Sequence, residues 1–278
     1  MKLATIWLTN KCNYGCYYCP SKKWLQPPDF EYACQNGEEE KCPDCVSVSR
    51  SVACESAVSR NRNDLLIPWM DRYLDPGEWL VELTGGEPGL YPEIGDLVPE
   101  LNKRGYRGVV KTNGSLPIPK SDGFVRVAAW HQDRPFPEHY DVILIIKNPG
   151  DDWPAKVRRC RDGGVPYRTC TFNPAYKGET TEKDGVSLGG HEPSKITEYM
   201  YVNCFGQIIP CYGFNATPAE GATIRDMHPP RTVKNLPDLC PMCVHTHSVT
   251  RFMPDDVLGQ IDRDHAEWLR GKGEAQWN

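Results

Sequence analysis

The run Lys11-Cys-Asn-Tyr-Gly-Cys-Tyr-Tyr-Cys-Pro20 follows directly on a strand-like segment, Leu3–Thr9. Its three cysteines, Cys12, Cys16 and Cys19, have the spacing C-x3-C-x2-C. Three thiolates this close can hold three irons of a [4Fe–4S] cube, which leaves the fourth iron open to a small ligand. Zinc fits the triplet poorly, since it usually takes two close pairs of ligands. Three unrelated thiols are the other alternative.

A second motif stands at the end of another strand-like segment. Trp79–Thr84 is short and largely apolar, which is typical of a buried strand, and it is followed by Gly85-Gly86-Glu87-Pro88. Glycines permit close backbone approach and unusual dihedral angles, and a carboxylate suits an ammonium group. Alone, the tetrapeptide predicts only a polar turn. At a strand end, about 65 residues after the cysteines, it indicates a ligand site.

Together the two motifs resemble the signature of the radical S-adenosylmethionine (SAM) superfamily, in which an aromatic residue such as Tyr18 precedes the last cysteine. In that family the open iron binds the amino and carboxylate groups of SAM. One electron then cleaves SAM to methionine and a 5′-deoxyadenosyl radical. The resemblance implies an electron donor such as flavodoxin or ferredoxin. It assigns iron to Cys12, Cys16 and Cys19, and SAM to Gly85, Gly86, Glu87 and Pro88, whose backbone receives the amino group.

Three other strand ends carry candidate site residues. The turn Thr112-Asn113-Gly-Ser115 resembles the Thr-Asn-Gly turn that lies near the SAM ribose or methionine in this family; a simple Asn-Gly turn is the alternative. His131 and Asn173 follow the fourth and sixth predicted strands. We expect both to face the cavity where SAM and substrate meet, with His131 orienting substrate or shuttling a proton. A packed or solvated histidine is the alternative.

The predicted fold is an α/β partial barrel. Strand-like segments alternate with helix-like ones, which implies parallel pairing with right-handed crossovers. Six repeats are fewer than the eight of a closed barrel and match the open (β/α)6 barrel that the resemblance implies. A full helix is not expected in the short, proline-rich connection between the fourth and fifth strands. The strands are Leu3–Thr9, Trp79–Thr84, Gly108–Thr112, Val125–Trp130, Val142–Lys147 and Tyr167–Asn173, and the helices Asp64–Tyr73, Glu93–Arg104 and Pro154–Arg161.

We expect the barrel to occupy residues 1–175, with a cysteine-rich insert at about 20–58. The insert is too long for an ordinary connection. Structural zinc would stabilise so polar a segment, reduced thiols are an equal alternative, and a third Fe–S cluster is a further one. Its cysteines are Cys34, Cys42, Cys45 and Cys54.

Residues 176–278 are expected to form a separate cysteine-rich extension with a C-terminal helix. Tyr199–Asn203 and Gln207–Pro210 are typical of the two arms of a tight hairpin. Residues 206–211 resemble the G-x4-C element of SPASM/twitch extensions, which carry auxiliary [4Fe–4S] clusters. Those extensions place a cysteine ten or more residues before that glycine, and this chain has none there, so Cys204 substitutes and Cys170 is the reserve. The implied ligands are Cys204, Cys211, Cys240 and Cys243.

Zinc or free thiols are the alternatives for the tail cysteines. Cys160 and Cys170 are expected to be inert packing residues. The thirteen cysteines, in a chain where no signal-peptide cleavage site is recognised, indicate metal binding in a reducing cytoplasm. The longest apolar run, Val142–Ile146, is too short to span a membrane.

We therefore expect a radical SAM enzyme that oxidises, or forms a bond in, a peptide or small polar metabolite, with an auxiliary cluster that accepts an electron or ligates the substrate. No leader-peptide-binding domain is recognised, which weakens the peptide hypothesis. Modification of a nucleotide or nucleic-acid base is the alternative, although the net charge of −5 argues mildly against a large nucleic-acid surface. A non-catalytic Fe–S or zinc scaffold or electron-transfer protein is the alternative from another class, and neither needs Gly85–Pro88 at a strand end.

Overall fold

The computed structural model describes residues 2–14, 16, 61–130, 134–147, 151–171, 198–204, 206–209, 224, 226–227, 229–230 and 232–234. This part of the chain contains nine strands, three α-helices and one 3-10 helix. The elements are β1 (Lys2–Trp7), α1 (Asn63–Tyr73), β2 (Trp79–Thr84), a 3-10 helix (Pro88–Leu90), α2 (Ile94–Lys103), β3 (Arg107–Thr112), β4 (Phe124–Trp130), β5 (Val142–Lys147), α3 (Trp153–Asp162), β6 (Tyr167–Thr171), β7 (Glu198–Val202), β8 (Ile208–Ile209) and β9 (Val233–Lys234).

All six predicted strands and all three predicted helices are present, and the ends that can be compared differ by at most two residues. The predicted end of the sixth strand, residues 172–173, lies outside the described residues. The apolar runs of β2 and β5 have the predicted bounds, because strands that are buried on both faces read as nearly continuous hydrophobic segments. The two arms of the predicted hairpin are present as β7 and β8, which pair antiparallel with Tyr201 opposite Ile209.

The strands form one sheet in the order β6-β5-β4-β3-β2-β1-β7-β8, with β9 paired to β7. The seven strands from β6 to β7 are parallel, and β8 and β9 run antiparallel to β7. The order does not close on itself within the described residues. The α/β sheet is therefore open, as expected of a partial barrel.

The structure corrects the six-fold (β/α) alternation in two respects. First, β7 is a seventh parallel strand, with Leu3 opposite Tyr199, so the hairpin continues the sheet instead of standing apart from it. Second, residues 113–123 contain no helix. Residues 134–141 contain none either, as expected of the proline-rich connection between the fourth and fifth strands. The connections into β4 and β5 are short segments that cross between neighbouring parallel strands with few residues to spare.

The three described helices pack on one face of the sheet. α1 and α2 share an apolar core with Ile6, and α3 packs with Ile143 on the same face. Successive side chains of a strand point to opposite faces, so Thr5 and Glu82 lie on the other face. There Thr5 Oγ1 donates to Glu82 Oε2 at 2.8 Å, and Lys111 forms an ion pair with Glu82. This second face carries a buried polar cluster.

Among the described residues, no helix combines the length and the apolar character that a membrane crossing requires.

Candidate functional site

Both sequence motifs lie at the carboxyl edge of the parallel sheet. β1 and β2 are neighbours with Trp7 opposite Thr84, and Leu8 N donates to Thr84 O at 2.8 Å just beyond the strand ends. The loop that begins at Thr9 and carries Cys12, Cys16 and Cys19 is named the cysteine loop. It therefore leaves the sheet beside Gly85–Pro88. Parallel α/β enzymes place their reacting groups at this edge.

The backbone of the cysteine loop is hydrogen-bonded to the second motif. Gly86 N donates to Thr9 O at 2.7 Å, and Glu87 N donates to Lys11 O at 2.8 Å. A Cβ atom at Gly86 would lie 2.1 Å from Lys11 O, and one at Gly85 would lie 2.6 Å from Thr9 O. Gly85 also has a φ of +141°, which L side chains rarely adopt. The close approach that the glycines predict is thus made by the cysteine loop itself.

Glu87 joins the second motif to the end of β3. Its side chain is fully buried, and Oε1 accepts hydrogen bonds from Gly89 N at 2.8 Å and from Thr112 Oγ1 at 2.6 Å. Oε2 accepts one from Asn113 N at 2.7 Å. Burial raises the pKa of Glu87, while these three hydrogen bonds act in the opposite direction. These donors belong to the protein, so a contact of this carboxylate with the SAM ammonium stays a prediction.

The turn after β3 contacts the cysteine loop through side-chain amides. Asn113 Nδ2 donates to Asn13 Oδ1 at 2.8 Å, and Asn13 Nδ2 donates to Ser115 Oγ at 2.8 Å. Ser115 N donates in turn to Asn113 Oδ1 at 3.0 Å. The structure therefore brings Thr112, Asn113 and Ser115, all predicted from the sequence, into one network with Glu87 and the cysteine loop.

The two described thiols of the triplet, Cys12 and Cys16, are half-buried at this edge. Cys12 Sγ accepts a hydrogen bond from Tyr14 N at 3.4 Å and lies 3.9 Å from Asn113 Nδ2. Burial raises the pKa of the Cys12 thiol, and iron would displace its proton because ligands bind as thiolates. Soft thiolates in one loop fit an Fe–S cluster. The described residues include no group of three metal ligands, since Cys19 lies outside them.

A contact between the cysteine loop and the exit of β4 was missed by the sequence analysis. The Arg134 guanidinium lies 4.2 Å from the centre of the Tyr14 ring, a cation–π contact. Trp130 Nε1 donates to Arg134 O at 3.0 Å and fixes the backbone on that side. An aromatic residue inside the triplet was the one signal that could have indicated this contact. The loop thus touches residues that follow β2, β3 and β4.

Asn61 was also missed, because a single asparagine before a helix carries no pattern. It is fully buried, and its Nδ2 donates to Trp7 O at 2.5 Å and to Asn203 O at 2.8 Å. The exits of β1 and β7 are thereby joined. Cys204 follows at the same edge; its side chain is buried, which raises the pKa of the thiol to about 12. Its predicted role as a cluster ligand stays a prediction.

Of the two cysteines expected to be packing residues, Cys160 is buried in α3, and nothing is described of the Cys170 side chain. Several predicted site residues cannot be placed. The following lie outside the described residues: Tyr18, Cys19, Cys34, Cys42, Cys45, Cys54, His131, Asn173, Cys211, Cys240 and Cys243.

No protein-family model matches the chain. Over 123 residues it is 32% identical to an S-adenosyl-L-methionine-dependent tRNA 4-demethylwyosine synthase of Pyrococcus horikoshii, covering 41% of this chain and 32% of the relative. Over 134 residues it is 31% identical to the enzyme of the same name from Pyrococcus abyssi, covering 45% and 35%. The chain thus matches about a third of the length of these curated relatives.

Among solved structures, the chain is similar to SuiB of Streptococcus suis bound to S-adenosylmethionine. The TM-score is 0.39 at 15% identity, and the match covers 88% of this chain and 67% of that one. The two Pyrococcus relatives are SAM-dependent by name, which agrees with the superfamily resemblance of the two motifs.

Proposed function

We propose that this protein is a radical SAM enzyme. Cys12, Cys16 and Cys19 would hold a [4Fe–4S] cluster, and SAM would bind beside it over Gly85–Pro88 and the Thr112–Ser115 turn. The observation that carries the proposal is the direct hydrogen bonding of the cysteine loop to Gly86 and Glu87. A non-catalytic scaffold or electron carrier has no need of that second motif beside its cluster. The SAM dependence of the Pyrococcus relatives supports the same assignment.

The bound cofactors would supply one-electron reductive cleavage of SAM and removal of a hydrogen atom from the substrate, giving methionine and 5′-deoxyadenosine. The electron would come from a donor such as flavodoxin or ferredoxin. The chain's own residues hold the geometry. Gly86 and Glu87 fix the cysteine loop through its backbone, and the Glu87 carboxylate fixes the turn at Asn113. Arg134 covers the loop on the β4 side.

For the substrate, we place a base of an RNA ahead of a peptide or a small polar metabolite, because both Pyrococcus relatives are named as tRNA enzymes. An auxiliary [4Fe–4S] cluster on Cys204, Cys211, Cys240 and Cys243 is part of the proposal. It would accept the electron left on the substrate or ligate the substrate. Zinc in the 34–54 insert and a cytoplasmic location are further proposals that follow from the cysteine content.

The test is anaerobic incubation of reconstituted protein with SAM and dithionite, followed by chromatography for 5′-deoxyadenosine. We expect the Cys16→Ala variant to form none, because a cluster held by three thiolates has no spare ligand. The matched control is Cys160→Ala, which removes a buried thiol near the end of α3 and should retain SAM cleavage. Wild-type amounts of 5′-deoxyadenosine from Cys16→Ala would overturn the proposal.

A further inference from the structure

The segment 151–171, which covers α3 and β6, is basic in an otherwise acidic chain. It contains five basic and three acidic side chains, a net charge of +2, whereas the whole chain carries −5. Two of its three acids have local roles. Asp151 forms an ion pair with Lys156 at 2.7 Å, and Asp152 caps α3 by accepting a hydrogen bond from Ala155 N at 3.0 Å. The remaining acid, Asp162, is exposed, and so are four arginines of the segment: Arg158, Arg159, Arg161 and Arg168.

Two of these arginines line one groove. It has a volume of about 530 Å³ and lies between the end of α3 and the first residues of β6. Arg161 and Arg168 line it together with Tyr167 and Thr169, and no acidic residue is among the described residues that line it. Arg161 Nε donates to Tyr167 Oη at 2.8 Å, which orients that guanidinium at the groove. Planar guanidinium groups match phosphate oxygens by paired hydrogen bonds.

We propose that this arginine groove, formed by Arg161, Tyr167, Arg168 and Thr169, binds the phosphate backbone of an RNA. The inference rests on the proposed function, whose substrate class it specifies. Charge complementarity supports it, since most of the affinity of proteins for nucleic acids comes from phosphate contacts by Arg and Lys.

The arginine groove is far from the cysteine loop, so a ligand that contacts both must be large. The groove lies at the start of β6 and so at the amino edge of the sheet, whereas the cysteine loop lies at the carboxyl edge. β6 is five strands away from β1, which is roughly 24 Å along the sheet at about 4.8 Å per strand. A small metabolite at the cysteine loop cannot reach the groove. A folded RNA that presents one base to the carboxyl edge can extend its backbone across this distance.

A helix-stabilising role does not account for the groove. Arg159 and Arg161 are in the last turn of α3, where cations interact favourably with the helix dipole. Arg159 also lies 4.6 Å from the centre of the Phe136 ring, and this cation–π contact accounts for an arginine at position 159. Neither effect requires Arg168, which is on a strand, or the placement of Arg161 and Arg168 along one concave surface.

The experiment measures the binding of fluorescently labelled bulk tRNA to the reconstituted protein by anisotropy at several salt concentrations. For Arg161→Gln/Arg168→Gln we expect at least about tenfold weaker binding and a salt dependence reduced by about 1.5 in log–log slope, since two phosphate contacts are lost. The control Arg62→Gln/Arg72→Gln removes two exposed arginines of the α1 region and should bind like wild type. The variant Arg161→Lys/Arg168→Lys restores the two charges but not the paired hydrogen bonds of a guanidinium group, so it should recover the salt dependence and only part of the affinity. Thermal unfolding monitors the folded state of every variant.

Any of three results would overturn the proposal that the arginine groove binds RNA. The first is no binding of tRNA by the wild type, and the second is an equal loss of tRNA affinity in the groove variant and the control. The third is displacement of bound tRNA by poly-glutamate at the same concentration of negative charge. The wild-type assay for 5′-deoxyadenosine separates the two proposals. If SAM is not cleaved but tRNA binding still depends on Arg161 and Arg168, the proposed reaction fails and the RNA site stands. If SAM is cleaved and tRNA does not bind, the reaction stands and the groove is rejected.

Discussion

Alanine substitutions at Gly86 and Gly95 should have opposite effects, because only Gly86 lies against the cysteine loop. A Cβ atom at Gly86 would lie 2.1 Å from Lys11 O, whereas one at Gly95, in α2, would meet nothing within 4 Å. Gly86→Ala must therefore displace the cysteine loop, and we expect cluster iron and 5′-deoxyadenosine formation to fall at least tenfold. Gly95→Ala should leave both unchanged and raise the free energy of unfolding by roughly 0.5–1 kcal/mol, because alanine is the better helix former. Equal activity of the two variants would show that the loop contact is not required.

Glu87 is the residue whose chemistry depends most on its surroundings. In Glu87→Gln the amide oxygen would take the place of Oε1, which has two donors, so the new amide NH₂ group would face Asn113 N. Two opposed donors in a buried site should cost about 1–3 kcal/mol of unfolding free energy. The measurement is urea unfolding of both proteins, and an unchanged midpoint would contradict the hydrogen-bond network.

The difference in unfolding free energy between wild type and Glu87→Gln should depend on pH, and the pKa of Glu87 determines the sign. Burial raises the pKa of Glu87 above its ordinary value of 4.5 in the folded protein, so the folded state binds the proton more tightly than the unfolded state. The stability contributed by Glu87 is therefore lost as the pH rises from about 4.5 through the folded pKa. We expect the stability of wild type relative to Glu87→Gln to decrease over that interval. An increase with pH would mean that the carboxylate form is the one that the folded state prefers.

At the scale of elements, Asn61 connects the barrel to the tail. Asn61→Ala removes the hydrogen bonds to Trp7 O and Asn203 O, which should cost about 1–3 kcal/mol and loosen the exit of β7. Cys204 is buried in the wild-type structure. In Asn61→Ala its thiol should react faster with an alkylating reagent, and mass spectrometry measures the labelled fraction of Cys204. Asn63→Ala is the control: it also loses two hydrogen bonds, to Tyr91 and Glu93, but lies away from β7. Equal labelling of Cys204 in both variants would contradict the coupling.

The elements were largely predictable from the sequence, and their partners were not. β2 and β5 are apolar runs bounded by turn residues, and the helices show a periodic apolar face, so local pattern sufficed. The pairing of Leu3 with Tyr199 joins residues far apart in the chain, and nothing in either strand specifies the other. The same limit applies to the site: the glycines predicted a close approach, but the approaching group, Lys11 O, follows only from the assembled sheet. Asn13 and Asn61 belong to no pattern at all.

At the scale of the whole molecule, the sheet makes the barrel depend on the tail. Four apolar side chains from beyond residue 197 complete the core beside β1, and each is at most 1% exposed: Met200, Val202, Ile208 and Ile224. Burial of each such side chain contributes about 1.5–3 kcal/mol, roughly 6–12 kcal/mol together, which is comparable to the entire stability of a typical domain. A strand at the edge of β1 also satisfies a row of backbone groups that would otherwise promote aggregation.

A chain shortened to residues 1–175 should therefore lose its cooperative unfolding transition and associate, even though it retains the cysteine triplet and Gly85–Pro88. A chain ending at residue 234 keeps β7, β8 and β9 and should unfold cooperatively, which makes it the matched control. Urea unfolding followed by circular dichroism, together with size-exclusion chromatography, distinguishes the two. A cooperative, monomeric 1–175 fragment would show that β1–β6 form an independent unit and that β7 only docks on it. Loss of folding in that fragment alone would mean that the seventh strand is part of the minimal sheet that holds the cysteine loop in place.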